Sequence, residues 1–228
     1  MQNLKQEIIK TLKNVCLKFD INLTVNQLDK FADYACFLIE YNKKVNLSSI
    51  KKPFEIVIKH FLDSLIVSKI IKIEGKLIDI GSGAGFPGVP LKILNSSLNL
   101  TVLDSSRKKI NFLTELANLL SLNINIINER AEKIACTNLK ESFQICTARA
   151  VAPLNMLCKL CLPFVEKNGV FIALKGPLAE TEINSSFDII KILGGEIIET
   201  KQINLPENLG KRILIKIKKV KTYSINFN

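Results

Sequence analysis

The sequence predicts an α/β fold: a mostly parallel seven-stranded sheet over residues 71–228, preceded by an N-terminal helical extension over residues 1–70. Three observations predict it. Residues 1–70 read as helices, with apolar side chains recurring at steps of three and four. From Lys76 onward, short β-type runs alternate with helix-type runs, the order that yields a parallel sheet covered on both faces. The first β-type run ends in a glycine-rich turn that leads directly into a helix.

The elements follow in order. Leu4, Ile8, Leu12, Val15 and Phe19 fall on one helical face. Thr24, with Gln27 three residues on, forms a capping box that opens a second helix with Leu28, Phe31, Ala35, Leu38 and Tyr41 on its apolar side. A polar connection over 42–52 leads to a third helix, where Pro53 suits the first turn and Ile56, Val57, Phe61, Leu65 and Ile66 face inward. Strands are predicted at 76–80, 100–103, 124–127, 143–146 and 170–174, the last after an Asn168-Gly169 turn. Helices at 89–94, 153–162 and 179–193, and one marked by Ile110, Leu113, Leu116, Ala117 and Leu120, connect or follow them. Gly194-Gly195 stops the last helix, and runs at 196–199 and 212–217 close the sheet as two strands able to pair antiparallel.

Composition narrows the function classes. Apolar residues make up 47% of the 228, enough for a sizeable core. Lys and Arg number 32 against 21 Asp and Glu, a net charge of +11 that favours polyanionic partners. A codon bias toward Lys, Ile and Asn accounts for the same excess without any partner, so both readings stand. No apolar run is long enough to cross a bilayer, and the N-terminus lacks a secretory apolar core. A cytoplasmic protein with reduced thiols is expected. Among the six cysteines, Cys158 and Cys161 form a lone C-x-x-C in an apolar helical pattern. One such pair cannot supply four zinc ligands, so packing is expected and no metal.

The chemistry concentrates in Asp79-Ile80-Gly81-Ser82-Gly83-Ala84-Gly85-Phe86-Pro87-Gly88. Glycines between a strand and a helix let the backbone turn sharply and approach a ligand, and N–H groups at the helix start favour an anionic group. The spacing places glycine at 81, 83 and 85 and Phe86 where a dinucleotide fingerprint needs its last glycine. A P-loop is excluded, since no Lys-Ser or Lys-Thr follows. The G-x-G-x-G pattern resembles the first motif of class I methyltransferases, Rossmann-like enzymes that use S-adenosyl-L-methionine. Asp104 ends the second strand at the distance where an acidic residue holds a ribose, or where it caps the next helix; both roles remain open. Arg130, Ala131 and Glu132 follow the third strand, Arg149 the fourth and Lys175 the fifth, so three basic side chains are expected to converge at the carboxyl rim.

Beyond the glycine loop, the sequence resembles the ribosomal RNA small subunit methyltransferase G family, also called glucose-inhibited division protein B. The resemblance spans nearly the whole chain: Tyr41-Asn42, Asn46-Leu47-Ser48, Lys59-His60-Phe61-Leu62-Asp63-Ser64, the loop with its Phe-Pro-Gly ending, Leu103-Asp104-Ser105, Lys108-Lys109, Arg130-Ala131-Glu132, Arg149-Ala150 with Ala152-Pro153, Leu174-Lys175-Gly176, and Arg212. It implies methylation of N7 of one guanine in 16S rRNA, with Gly81, Phe86, Ala131, Glu132 and Arg149 at the cofactor. The chain departs from the usual pattern at Lys59 (commonly Arg), Tyr41 (commonly Trp) and Ala148 (commonly Ser). The implied partner is 16S rRNA, naked or within the 30S subunit or its precursor; no DNA or membrane partner is expected, and a monomer is.

Guanine N7 carries an in-plane lone pair, so alignment with the methyl donor matters more than a general base. Arg130, Arg149, Lys175 and His60 are the positioning candidates. His60, the only histidine, reaches Asp63 and Ser64 along its helix; it either ties the helical segment to the core or contacts substrate, and is expected at the border of the cleft. Lys43, Lys44, Lys51, Lys52 and Lys59 form one basic cluster; Lys211, Arg212, Lys216, Lys218, Lys219 and Lys221 form another, which is either an RNA stripe or a solvated edge. A methyltransferase of protein or small molecules would instead show an acidic or apolar mouth. A non-enzymatic RNA-binding factor would have lost the glycine loop.

Overall fold

A computed structural model describes residues 2–149 and 152–222. Two long helices open the chain, α1 (Gln2–Leu17) and α2 (Val25–Lys44). The α2 capping box forms as expected: the Gln27 amide N–H donates to Thr24 Oγ1 and the Thr24 amide N–H to Gln27 Oε1. The third helical segment, residues 53–69, is composite. It runs from α3 (Pro53–Ile56) through a π-helical stretch (Val57–Leu62) into α4 (Asp63–Leu65) and a 3-10 turn (Ile66–Lys69).

Seven strands then build one sheet in the order β3-β2-β1-β4-β5-β7-β6. They are β1 (Lys76–Ile80), β2 (Asn99–Leu103), β3 (Ile124–Ile127), β4 (Phe143–Arg149), β5 (Val165–Lys175), β6 (Gly195–Asn204) and β7 (Lys211–Lys219). β1 to β5 pair in parallel, and β7 pairs antiparallel with both β5 and β6. The helices between strands are α5 (Gly88–Leu94), α6 (Arg107–Leu119), α7 (Ala131–Ile134), α8 (Leu154–Cys161), α9 (Ala179–Asn184) and α10 (Phe187–Ile192).

Strand alternation sends successive residues to opposite faces. Leu77, Leu100, Ile145 and Leu174 join a core shared with α1, α2, the 53–69 segment, α5 and α6. Ile78, Leu103, Cys146 and Ala173 join a second core under α8 and α10. Cys158 and Cys161 lie in that second core, where burial raises both thiols.

Three sequence expectations need correction. Asn168-Gly169 is not a turn before β5 but lies inside it: two steps along β4 oppose five along β5, and Asn168 adopts φ 71° to let the strand bulge. The single helix expected over 179–193 is two, because the chain breaks at Ser185-Ser186 and the buried Ser186 hydroxyl bonds back to the Glu182 carbonyl. The final strand is not an edge. β7 lies between β5 and β6, so Lys219 is buried and donates to the Leu162 and Leu193 carbonyls, while Lys216 donates to the Ile70 carbonyl.

Candidate active site

At the carboxyl ends of β1 to β4 the rim opens into a cavity of about 530 Å³. This is the usual ligand position in an open α/β sheet, and the size suits a small-molecule ligand. The glycine loop forms its floor. Gly81 and Gly83 take φ of 66° and 62°, which β-carbon-bearing residues adopt only with strain. Both line the cavity, with Ser82, Ala84 and Phe86. A β-carbon on Gly83 would meet only the Gly81 carbonyl, at 3.9 Å, so the space above it is open. Gly85 does not line the cavity. Its φ is 95°, and a β-carbon there would lie 2.6 Å from Tyr34 Oη and 2.8 Å from Val89; it is the glycine that lets helix and loop pack.

The next residues come from neighbouring strand ends. Asp104, 5% exposed, accepts from the Gly83 N–H at 3.0 Å and the Ser106 N–H at 2.9 Å, and pairs with Lys109 at 3.3 Å. It therefore braces the loop; the N-cap of α6 is Ser106, not Asp104. Arg130, Ala131 and Glu132 line the wall past β3, with Glu129 beside them. Beneath the loop, Asp79 is fully buried, accepts from the Gly88 N–H and the Thr147 hydroxyl, and has its carboxyl pushed up to about 7, chiefly by burial.

The opposite wall, at β4, holds a compact polar cluster. One Arg149 Nη donates to Asp63 Oδ2 at 2.8 Å and to the Lys59 carbonyl at 2.9 Å; the other lies 3.0 Å from His60 Nδ1. Asp63 is fully buried and also accepts from Arg212 Nε. His60 stacks on Phe86 at 4.3 Å and 9°, and Tyr34 stacks on Phe86 at 5.3 Å and 4°. The Arg149 guanidinium lies 5.0 Å from the Phe86 ring centre. Burial first, then the Arg149 charge, lowers His60 to about 3, so its ring is neutral.

The cavity thus gathers His60, Gly81, Gly83, Phe86, Asp104, Arg130, Ala131, Glu132 and Arg149. It does not gather Lys175, whose ammonium donates to the Ala152 carbonyl and pairs with Glu182 at 2.7 Å. Nor does the His60 ring bond to Asp63 or Ser64, as the helical spacing suggested: its ring partners are Ser48 and Arg149, and Ser64 bonds the His60 carbonyl. The wall is not uniformly basic, since Asp104, Glu129 and Glu132 face Lys109, Arg130 and Arg149. Ala150 of the Arg149-Ala150 motif, and Val151, lie outside the described residues. Sequence reasoning passed over Leu47, Lys109, Glu129 and Leu160 as lining residues, and over Tyr34 as the support of the loop.

Known proteins sharpen this geometry. The family model for rRNA small subunit methyltransferase G matches residues 27–209. A ribosomal RNA small subunit methyltransferase G of Thermoanaerobacter sp. (strain X514) is 46% identical over 95% of this chain and 92% of the relative. This chain belongs to that family. It is therefore a methyltransferase of small-subunit rRNA. Solved structures show the same fold at low identity. PH0226 from Pyrococcus horikoshii OT3 superposes with a TM-score of 0.56 at 15% identity, over 79% of this chain and 98% of that one. TYW2 of M. jannaschii, solved with AdoMet, gives 0.53 at 14%, over 69% and 75%.

Proposed function

We propose that the cavity binds S-adenosyl-L-methionine and presents its methyl group to N7 of one guanine of 16S rRNA entering beside Arg149 and His60. The observation that carries this reading is the open space over the glycine loop: a β-carbon on Gly83 would meet only the Gly81 carbonyl, at 3.9 Å, so a ligand in the strand-end cavity can lie directly against that backbone. The lining fits the cofactor as well. The Gly81–Gly83 amides are already taken by the Leu103 carbonyl and Asp104, so the loop offers the cofactor an open backbone surface rather than free donors, while Asp104 suits its ribose hydroxyls and Ala131 and Glu132 its adenine. TYW2 of M. jannaschii, which shares the fold, was solved with AdoMet.

Bound there, S-adenosyl-L-methionine supplies a methyl group activated by a cationic sulfur. The residues of this chain align and neutralise. Guanine N7 needs no proton removed, so the neutral His60 ring and the stacked Phe86 set the geometry of the mouth without accepting a proton. The guanine gains positive charge as N7 takes the methyl, and Asp63 offsets the Arg149 charge at that end of the cavity. Residues 1–70 act as an extension that brings Leu47 and His60 to the domain of residues 71–228. The chain works in the cytoplasm as a monomer, on 16S rRNA, naked or within the small subunit or its precursor. Among the described residues no helix is long and apolar enough to cross a membrane.

The test is transfer of labelled methyl from S-adenosyl-L-methionine to 16S rRNA and to 30S particles from cells lacking this protein. Digestion should yield a single N7-methylguanine. Label in protein only, or in no macromolecule, overturns the reading.

A further inference from the structure

We propose that the Ser48 hydroxyl is the group that recognises O6 of the target guanine, as the last donor of a hydrogen-bond chain that begins at Asp63 and Arg149. The inference rests on the guanine-N7 reading and adds the residue that tells guanine from adenine.

Hydrogen-bond direction carries the argument. Arginine only donates, so His60 Nδ1, 3.0 Å from the Arg149 guanidinium, must accept. A neutral imidazole has one N–H, which therefore sits on Nε2 and donates to Ser48 Oγ at 2.9 Å. The Ile50 N–H donates to the same oxygen at 3.1 Å. Both lone pairs of Ser48 Oγ are taken, and its proton has no acceptor among the described residues. The direction is opposite to that of a hydrolase triad: histidine donates to serine, so Ser48 becomes a stronger donor and not a nucleophile.

Position agrees. Ser48 follows Leu47 and bonds His60, and both of these line the cavity. The loop is held rigidly, because Asn42 Oδ1 accepts from the Leu47 and Ser48 N–H groups at 2.7 and 3.0 Å and its amide donates to the Ser48 carbonyl. Strand order places Asp104 on β2 and Arg149 on β4, with the glycine loop on β1 between them. The Ser48 end is thus on the β4 side of the cavity, away from Asp104. On the edge of guanine that carries N7, the one other acceptor is O6; adenine presents an amino donor there. A fixed donor accepts the first base and repels the second.

The test is a cycle of enzyme and base. Wild type, Ser48→Ala and Ser48→Thr are assayed on ligated 16S rRNA carrying, at the methylated position, either guanine or 2-aminopurine, which keeps N7 and lacks O6. Removing either partner should lower kcat/KM roughly tenfold, the worth of one neutral hydrogen bond, and removing both should lose no more than one. Ser48→Thr, which keeps the hydroxyl, should retain activity, and S-adenosyl-L-methionine affinity should be the same in all three proteins. Should Ser48→Ala melt below the assay temperature, Ser48→Cys, a weak donor, takes its place. Losses that multiply to about a hundredfold, a wild type indifferent to 2-aminopurine, or weakened cofactor binding by Ser48→Ala overturns the assignment. A wild type that makes no N7-methylguanine instead sinks the reaction on which it rests.

Discussion

Two buried titratable residues, His60 in the cavity wall and Asp79 beneath the glycine loop, have opposing effects on stability. His60 is lowered to about 3 from its ordinary 6.5, so between those values the unfolded chain holds a proton the folded one does not. Stability from this residue is full above about pH 6.5 and is lost as pH falls toward 3. Asp79 is raised to about 7 from 3.8, so between those values the folded chain holds the extra proton. Its contribution is present below about pH 4 and is lost as pH rises through 7. Each slope is about 1.4 kcal/mol per pH unit and they have opposite signs, so between about pH 4 and 6.5 they cancel. Denaturant unfolding across that window should show Asp79→Asn losing stability relative to wild type as the solution is acidified, and His60→Gln gaining it. Parallel curves for all three proteins would show that neither group is shifted. Asp79 was legible only as a letter in the glycine motif. Its meaning needed the Gly88 and Thr147 contacts, because burial and not spacing perturbs a carboxyl.

Elements meet at Asp63. The 53–69 segment, β4 and β7 are far apart in sequence, and one buried carboxylate ties all three through Arg149 and Arg212. Asp63→Asn keeps the shape but leaves two guanidiniums without their counter-charge. We expect a loss of about 3 kcal/mol in chemical denaturation and a kcat that falls further than cofactor affinity, because Arg149 then no longer fixes His60. Unchanged stability would mean the arginines find water instead. The sequence showed the strands, the glycine loop and the Thr24–Gln27 capping box well, since those follow from local periodicity and turn chemistry, but not the N-cap of α6, which is Ser106. It could not show that β7 inserts between β5 and β6, nor that Ser186 splits a helix whose apolar pattern runs on. Those outcomes depend on which partners the finished sheet leaves available. The same limit hid the His60 partners: helix spacing pointed to Asp63 and Ser64, but the ring turns to the loop at Ser48 and the strand end at Arg149.

For the whole molecule, the net charge of +11 invites the idea that every lysine cluster meets RNA. The fold divides them. At the C-terminus, Arg212, Lys216 and Lys219 bond internal carboxylates or carbonyls and cannot also release counterions from phosphate. Around the 45–52 loop, Lys44, Lys51 and Lys52 are exposed, and Leu47 of that loop lines the cavity. RNA that delivers a guanine to the mouth must pass beside this loop. Each phosphate neutralised there contributes ~0.7–0.9 to the slope of log affinity against log salt. Replacing Lys44, Lys51 and Lys52 together by Ala should therefore lower that slope by roughly 2–3 units, with affinity for S-adenosyl-L-methionine unchanged. The comparison is a triple replacement of Lys10, Lys13 and Lys18, exposed on α1 and the turn that follows it, which supply no residue to the cavity wall. It removes the same charge and should leave the slope nearly as it was, since exposed charges beyond a Debye length of about 8 Å are screened. Equal losses in the two triple variants would show that RNA answers to net charge alone and that the 45–52 loop is not its path to the site.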